Sequence, residues 1–143
     1  MIKHTQLTVL IPAYNEAESI VDTIASLLRQ TKPPKRIIVI DDFSTDHTGA
    51  LAKKTGVEVI RPKKNTGSKA GAQNFALTTV DTKLTMALDA DTTLAPDAIE
   101  KLLEAFDTDT VAAACGFVIP RHVRTIWERG RYIEYLLAFT FYK

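Results

Sequence analysis

The stretch LTMALDADT, residues 84–92, joins an apolar run to two acidic residues. The run from Leu84 to Leu88 carries no charge, which is typical of a strand that is buried on both faces of a sheet. Asp89 and Asp91 follow directly, and two neighbouring carboxylates repel each other unless a cation or a hydrogen-bonding ligand lies between them. The stretch therefore predicts a buried strand that ends at a binding site.

Similar apolar runs recur along the chain and alternate with helical patterns. Strands are predicted at residues 7–11, 36–40, 57–60, 84–88 and 111–115. Helices are predicted over residues 15–30, from about residue 46 to 55, and over 67–80, 96–106 and 124–143. This alternation is typical of an α/β fold with an open, mostly parallel sheet and helices on both faces.

Three residues give local expectations within this pattern. Asn15 and Glu18 are spaced as a capping box at the start of the first helix. Gly56 follows the second helix in the position that favours glycine. Cys115 is expected to be buried in the fifth strand, and a single cysteine excludes an internal disulfide.

Composition limits the class of protein. The chain has 143 residues and a net charge of +1, with 45% hydrophobic and 24% charged residues. These values fit one soluble globular domain without a basic field for nucleic acid. No apolar run reaches the ~18 residues of a membrane span, and the N-terminus lacks a signal-peptide pattern. The single cysteine favours a reducing, cytoplasmic setting.

Acidic pairs follow two of the predicted strands. Ligands of open α/β sheets bind beyond the carboxyl ends of the strands. Asp41 and Asp42 follow the second strand, and Asp89 and Asp91 follow the fourth, so all four carboxylates are expected at one cleft. Carboxylate oxygens suit Mg²⁺ or Mn²⁺. We expect Asp91 to bind the ion directly and Asp89 to lie nearer a sugar hydroxyl.

An aspartate after a strand also has a structural interpretation, as a turn former or a helix N-cap. We favour that interpretation for Asp46 and Asp97, which lie at the starts of predicted helices. We favour a binding role for the two acidic pairs, because they occupy two strand ends of one sheet.

A basic segment, RPKKNTGSKAGAQN (61–74), lies between the acidic pairs. Gly67 opens a predicted helix, so free N–H groups and Lys69 are placed to face a diphosphate, and Asn74 is a second candidate in the same helix. The P-loop and G-x-G-x-x-G spacings are absent, which disfavours ATP-type and NAD-type sites. Scattered histidines disfavour zinc, and no G-x-S-x-G motif indicates a nucleophile.

Four motifs together resemble the family 2 inverting glycosyltransferases with the GT-A fold. They are VLIPAYNEAESI (9–20), IDDFSTDHT (40–48), NTGSKAGAQNFAL (65–77) and LDADT (88–92). The KAGAQN segment is most similar to the KAGALN of the processive synthases of cellulose, chitin, hyaluronan and poly-N-acetylglucosamine. The resemblance covers about residues 7–120.

The resemblance implies a nucleotide-diphosphate-sugar donor, usually UDP-linked, and assigns roles to the matching residues. Asp42 would hydrogen-bond the base or ribose with Asp41 in support, Lys69 would lie near the base and diphosphate, and Asp89 and Asp91 would form the family's D-x-D pair for ribose and the divalent ion. The residues placed beside the base are Pro12, Ala13, Tyr14 and Glu16.

Two motifs of the family are missing from this sequence. The general base is an aspartate in a later "ED" motif, and processive members add Q-x-x-R-W. We therefore expect residues 1–120 to be the sugar-nucleotide-binding half and residues 121–143 to begin the acceptor half. The catalytic base is then expected beyond Lys143. For the last helix, packing on the rest of a catalytic domain is favoured over an acceptor channel or a membrane interface.

The resemblance also implies partners and a location. The acceptor would be a saccharide or a lipid, and the full-length protein would work at the cytoplasmic face of a membrane. Three other functions stay open: a receiver-type signalling domain, a sugar-nucleotide pyrophosphorylase, and a non-catalytic module that binds nucleotide sugars. The receiver and the pyrophosphorylase are disfavoured, because acid pairs after the first strand and a Gly-rich first loop are absent.

Overall fold

The computed structural model describes residues 6–108, 110–120 and 123–141, with side chains as far as residue 137. Within these ranges the strands are β1 (Leu7–Ala13), β2 (Arg36–Asp41), β3 (Glu58–Ile60) and β4 (Leu84–Ala87). The helices are α1 (Ile20–Leu28), α2 (Thr48–Lys54), α3 (Lys69–Leu77), α4 (Ala98–Glu104) and α5 (Ile126–Phe141).

The strands form one open sheet in the order β3-β2-β1-β4, and every pair is parallel. Val9 of β1 aligns with Ile37 of β2 and Met86 of β4. Every residue of β1 is buried, as expected of a central parallel strand covered on both faces. The predicted open parallel α/β sheet is confirmed.

Alternate residues of the strands face opposite sides of the sheet, and each side carries an apolar layer. Val9, Ile11 and Val39 pack on one face of the sheet with α1 and with Ile99 of α4. The other layer is smaller and covers the opposite face with α3, and its buried residues are Leu10, Ile38, Ile40, Ala72 and Ala76. The side-chain period of two in a strand produces this division. The sheet is thereby held rigid beneath the loops at its carboxyl end.

The predicted fifth strand is wrong. Residues 111–120 form neither strand nor helix, and Cys115, which was expected to be buried, is exposed. Phe117 and Ile119 are also about half exposed. An apolar, β-prone run becomes a strand only where a neighbouring strand supplies hydrogen bonds and packing, and no such pairing occurs in the described structure.

The first helix also begins differently from the prediction. It starts at Ile20, so Asn15 and Glu18 form no capping box. Asn15 instead has a φ of 56°, and its side-chain oxygen accepts a hydrogen bond from the Thr45 N–H at 2.8 Å. Asparagine tolerates this left-handed conformation better than most residues. Asn15 therefore ties the loop after β1 to the loop after β2.

Gly56 lies just past the end of α2 with a φ of 86°, as predicted. Helix α5 corresponds to the predicted last helix, and the end of that prediction, residues 142–143, lies outside the described residues. Among the helices of the described ranges, none combines the length and apolar character needed to cross a bilayer.

Candidate functional site

A cavity of about 520 Å³ opens at the carboxyl ends of β1 and β2 and beside the start of α3. This volume falls within the usual range for small-molecule sites. The predicted binding residues that line the cavity are Pro12, Ala13, Tyr14, Glu16, Asp42 and Lys69. Asn65, Gly67, Ser68, Ala72 and Ala90 complete the lining. Six of the residues predicted to bind a ligand therefore lie together at one cavity.

The end of β1 forms one wall of the cavity. Ala13 is buried, whereas the ring of Tyr14 is 53% exposed and available to a ligand. The positive φ of Asn15 then turns the chain away from the sheet. The Glu16 N–H donates to the Thr48 hydroxyl at 2.8 Å, which fixes the turn against α2.

Asp42 lines the cavity and is also hydrogen-bonded to a neighbouring loop. Its Oδ1 accepts from the Thr66 N–H and its Oδ2 from the Thr66 hydroxyl, both at 2.8 Å. The Asn65 amide donates to the Asp42 carbonyl oxygen at 2.8 Å. Asp42 is only 6% exposed, and these bonds satisfy a carboxylate that is largely removed from water.

Asp41 does not line the cavity and lies behind Asp42 in an ion pair. Its Oδ2 is 2.6 Å from Arg61 Nη1, and its Oδ1 accepts from the Ser44 N–H at 2.9 Å. The Arg61 guanidinium also lies 4.9 Å from the ring centre of Phe43, a cation–π geometry. Asp41 therefore shapes the loop after β2.

Lys69, the first residue of α3, is paired with the first acid of the LDADT stretch. Its ammonium nitrogen is 2.8 Å from Asp89 Oδ1. The hydrogen bond that Lys69 donates to Asp89 raises the pKa of Lys69, with partial burial opposing and the charges of Asp89, Asp91 and Glu16 adding to the rise. Both partners are more than half exposed, so the pair is accessible to a charged ligand.

Asp89, Asp91 and Asn74 lie outside the lining of the cavity, so of the four carboxylates expected at one cleft Asp42 alone lines it. Asp91 is exposed in the turn after β4, separated from Asp89 by the buried Ala90. Asn74 is exposed on α3. Asp46, which was expected to be structural, binds the Ala17 N–H at 3.1 Å, away from the cavity lining.

The described residues contain no group of three or more His, Cys, Asp or Glu side chains that would hold a metal ion by themselves. The exposed carboxylates of Asp89 and Asp91 suit an ion such as Mg²⁺ that takes one or two protein carboxylates and completes its shell with phosphate oxygens and water. The residues present fit a cation that binds together with a phosphorylated ligand.

The sequence reasoning named Gly67 and Lys69 in the loop and helix start at α3 but missed Asn65 and Ser68 of the same loop as part of the site. The Asn65 side chain accepts from the Gly67 N–H at 2.7 Å, and the Ser68 hydroxyl caps α3 by accepting from the Gly71 N–H at 3.0 Å. Asparagine favours turns in which its side chain bonds the backbone N–H two residues on, and serine before a helix is a common cap. These two signals indicate the loop's shape but not its position against Asp42.

Comparison with known proteins gives the family. Residues 8–142 match the model of glycosyl transferase family 2. The hyaluronan synthase of Streptococcus pyogenes is 35% identical over 131 residues, covering 84% of this chain and 31% of that protein. The poly-beta-1,6-N-acetyl-D-glucosamine synthase of Staphylococcus epidermidis is 31% identical over 134 residues, covering 90% and 32%. The chain thus spans about a third of the length of these relatives.

Solved structures share the fold at lower identity. The mannosyltransferase PcManGT from Pyrobaculum calidifontis, in complex with GDP-Man and Mn²⁺, has a TM-score of 0.71 at 24% identity, covering 77% of this chain and 34% of that one. S. aureus TarS in complex with UDP-GlcNAc has a TM-score of 0.66 at 24% identity, covering 71% and 31%. The fold is that of GT-A glycosyltransferases, as predicted. Together with the match over residues 8–142, the sequence identity to the synthases shows that this chain belongs to glycosyl transferase family 2.

Proposed function

We propose that this chain binds the sugar donor of an inverting glycosyltransferase, with a UDP-linked sugar in the cavity and Mg²⁺ or Mn²⁺ at Asp91 and Asp89. The observation that carries the proposal is one cavity with Asp42 on one wall and the Lys69–Asp89 pair at its edge. Asp42 would accept hydrogen bonds from the nucleoside end of a nucleoside diphosphate, and the positively charged Lys69 would bind its phosphate end.

The nucleoside would lie along the ends of β1 and β2. Backbone groups of Pro12 and Ala13 and the exposed Tyr14 ring border this part of the cavity. Asp42 accepts only two hydrogen bonds from Thr66, so its carboxylate retains lone pairs for the base or ribose hydroxyls. Asp41 would act through the loop conformation and not by contact.

The diphosphate would lie toward Lys69, which carries a positive charge at neutral pH and whose pKa the hydrogen bond to Asp89 raises further. A divalent cation, when bound, offsets negative charge that develops on the departing diphosphate. Asp91 would hold it directly, and Asp89 would contribute to ribose and metal. The structural neighbour PcManGT supports this, since its structure contains GDP-Man and Mn²⁺.

Transfer would proceed with inversion at the anomeric carbon. An acceptor hydroxyl would form a bond to that carbon from the face opposite the diphosphate, while the bond to the diphosphate oxygen breaks. The hydroxyl proton would pass to a carboxylate base that we place beyond Lys143. In this chain, Asp42 and Lys69 would orient the sugar donor for that displacement.

The acceptor and the cellular setting are proposed from the relatives. The synthases that match this chain make hyaluronan and poly-N-acetylglucosamine. We propose a role in polysaccharide or glycolipid synthesis, with a saccharide or lipid acceptor, at the cytoplasmic face of a membrane reached through other parts of a longer protein. No nucleic-acid partner is proposed.

Family membership excludes the receiver-type signalling domain and the pyrophosphorylase as alternatives. The remaining alternative is a module that binds nucleotide sugars without turnover. The experiment measures sugar transfer by a longer form of the protein and by its Asp91→Asn variant. Transfer by the first and loss of transfer in the second would show a glycosyltransferase and not a binding module.

Calorimetric titration with UDP tests the binding step. We expect binding in the presence of Mn²⁺, and at least about ten-fold weaker binding in its absence and in Asp91→Asn, because one metal ligand becomes neutral. Asp97→Asn is the matched control: Asp97 is paired with Lys101 on α4 and lies outside the cavity lining, so its affinity should be unchanged. UDP binding that is equal in all three proteins would contradict the metal assignment.

A further inference from the structure

We propose that Thr66 is a positioning residue that holds Asp42 and Lys69 in one geometry across the cavity. The inference deepens the proposed function and rests on it for the identity of the ligand. Thr66 does not line the cavity. It lies in the NTGSKAGAQNFAL motif, but the sequence analysis gave it no role.

The first observation is that Thr66 occupies both oxygens of Asp42. Its N–H and its hydroxyl each donate at 2.8 Å, one to each carboxylate oxygen. A hydroxyl has one proton, and a carboxylate is a stronger acceptor than the Ser68 carbonyl oxygen, which lies at 3.1 Å. The two bonds fix the plane of the Asp42 carboxylate and fasten the loop before α3 to the end of β2.

The second observation is that Thr66 packs directly on α3. A Cβ added to Gly71 would lie 3.0 Å from the Cβ, the carbonyl oxygen and the hydroxyl oxygen of Thr66. Such a contact is tighter than ordinary van der Waals packing. Glycine at position 71 therefore permits the close approach of Thr66, which gives a structural reason for the glycine in KAGAQN.

These two contacts meet at the first turn of α3, where Lys69 begins the helix. The same turn is capped by Ser68, whose hydroxyl accepts from the Gly71 N–H. The position of the Lys69 backbone thus depends on Thr66 on one side and on the cap on the other. Since Lys69 reaches Asp89 and Asp42 is held by Thr66, one residue sets the relative placement of both charged groups at the cavity.

Three variants of the chain test this inference. Thr66→Val keeps the shape and removes the hydroxyl donor, Thr66→Ser keeps the donor, and Gly71→Ala places a methyl group against Thr66. We expect UDP affinity in Mn²⁺ to fall about ten-fold in Thr66→Val and Gly71→Ala, the scale of one charge-assisted hydrogen bond. In Thr66→Ser we expect at most a two- to three-fold change, since the bond to Asp42 can re-form.

Amide hydrogen exchange of the chain without UDP gives a second readout that does not depend on the ligand. Thr66→Val should exchange faster than wild type over residues 68–72 and equally over α1. If wild type fails to bind UDP, the proposed function fails, while faster exchange confined to residues 68–72 still supports the role of Thr66. Unchanged exchange in Thr66→Val would overturn the inference. Where wild type binds UDP, an unchanged UDP affinity in Thr66→Val, or Thr66→Ser behaving like Thr66→Val, would also overturn it.

Discussion

At the scale of single residues, the ion pair behind the cavity illustrates how burial decides the cost of a mutation. The side chain of Asp41 is 4% exposed and that of Arg61 46%. Removing the arginine leaves a buried carboxylate with the Ser44 N–H as its remaining described partner. Breaking such a pair costs more than the intact pair contributes, because an uncompensated charge stays buried.

We therefore expect Arg61→Met to lower the free energy of unfolding by about 2 kcal/mol, less than for a fully buried pair because water reaches Arg61. Arg61→Lys retains the charge but loses the forked geometry and the stacking on Phe43, so its loss should be smaller. Urea denaturation of the three proteins measures this. A methionine variant as stable as wild type would contradict the structural role of Asp41.

The same scale shows what could be predicted of the site. Asp42 and Lys69 both line the cavity, because strand ends and helix starts can be located from the hydrophobic pattern and from the polar residues that interrupt it. Their role in binding stays a prediction. The contact between Asp42 and Thr66 could not be predicted, because it joins loops that follow two different strands. The roles given to Asp89, Asp91 and Asn74 in binding stay predictions.

At the scale of elements, the start of α3 depends on its cap. Ser68 accepts from the Gly71 N–H, one of the groups that the first turn of a helix leaves unpaired. We expect Ser68→Ala to cost about 1 kcal/mol of stability, the usual value for a lost N-cap. Ser19→Ala is the control, since Ser19 precedes α1 without a side-chain cap bond. Thermal unfolding that ranks the two variants the other way would contradict this assignment.

The loop into α2 supplies an acid-sensitive contact. Asp46 accepts hydrogen bonds from the Thr48 hydroxyl and from the backbone N–H groups of Thr48 and Ala17, and these lower its pKa below the usual 3.8, with the Thr48 hydroxyl contributing most and desolvation opposing. A lowered pKa in the folded state stabilises the protein above about pH 3.8, and this contribution is lost as the pH falls through the lower value.

We expect the melting temperature of wild type to fall below about pH 4 more steeply than that of Asp46→Asn, which has no proton to gain at this position. Thermal unfolding between about pH 2 and 6 measures the difference. Some acid dependence should persist in the variant, since the pKa values of Asp81, Asp97 and Glu100 are also lowered by their partners. Parallel curves for both proteins would rule out this role for Asp46.

Strands are also where sequence reasoning reached its limit. The runs that became β1, β2 and β4 have neighbours in the sheet, and their alternation with helices was enough to predict a parallel arrangement. Residues 111–115, VAAAC, are also apolar but have three alanines and no partner strand in the described structure. Strand formation depends on two paired segments of the chain, and a local sequence pattern describes only one of them.

At the scale of the whole molecule, buried side chains are concentrated in the sheet and the helices beside it. Among residues 110–120 and 123–137, none is buried. We expect limited trypsin digestion to cut first at Arg124, Arg129 or Arg131, leaving a resistant core that contains β1 to β4, because exposed backbone with few packed contacts opens at low cost. Mass spectrometry identifies the fragments. Early cleavage within α1 or the sheet would contradict this division.

The position of the chain's one tryptophan decides which optical signal reports which event. Trp127 of α5 is 85% exposed. Its emission in the folded chain should already be that of a water-exposed indole, so unfolding of the sheet changes it little and must be followed by circular dichroism. The emission should instead shift to shorter wavelength when another surface covers α5. The emission of Trp127 should thus report the covering of α5 by another surface, and it should report little of the folding of the sheet.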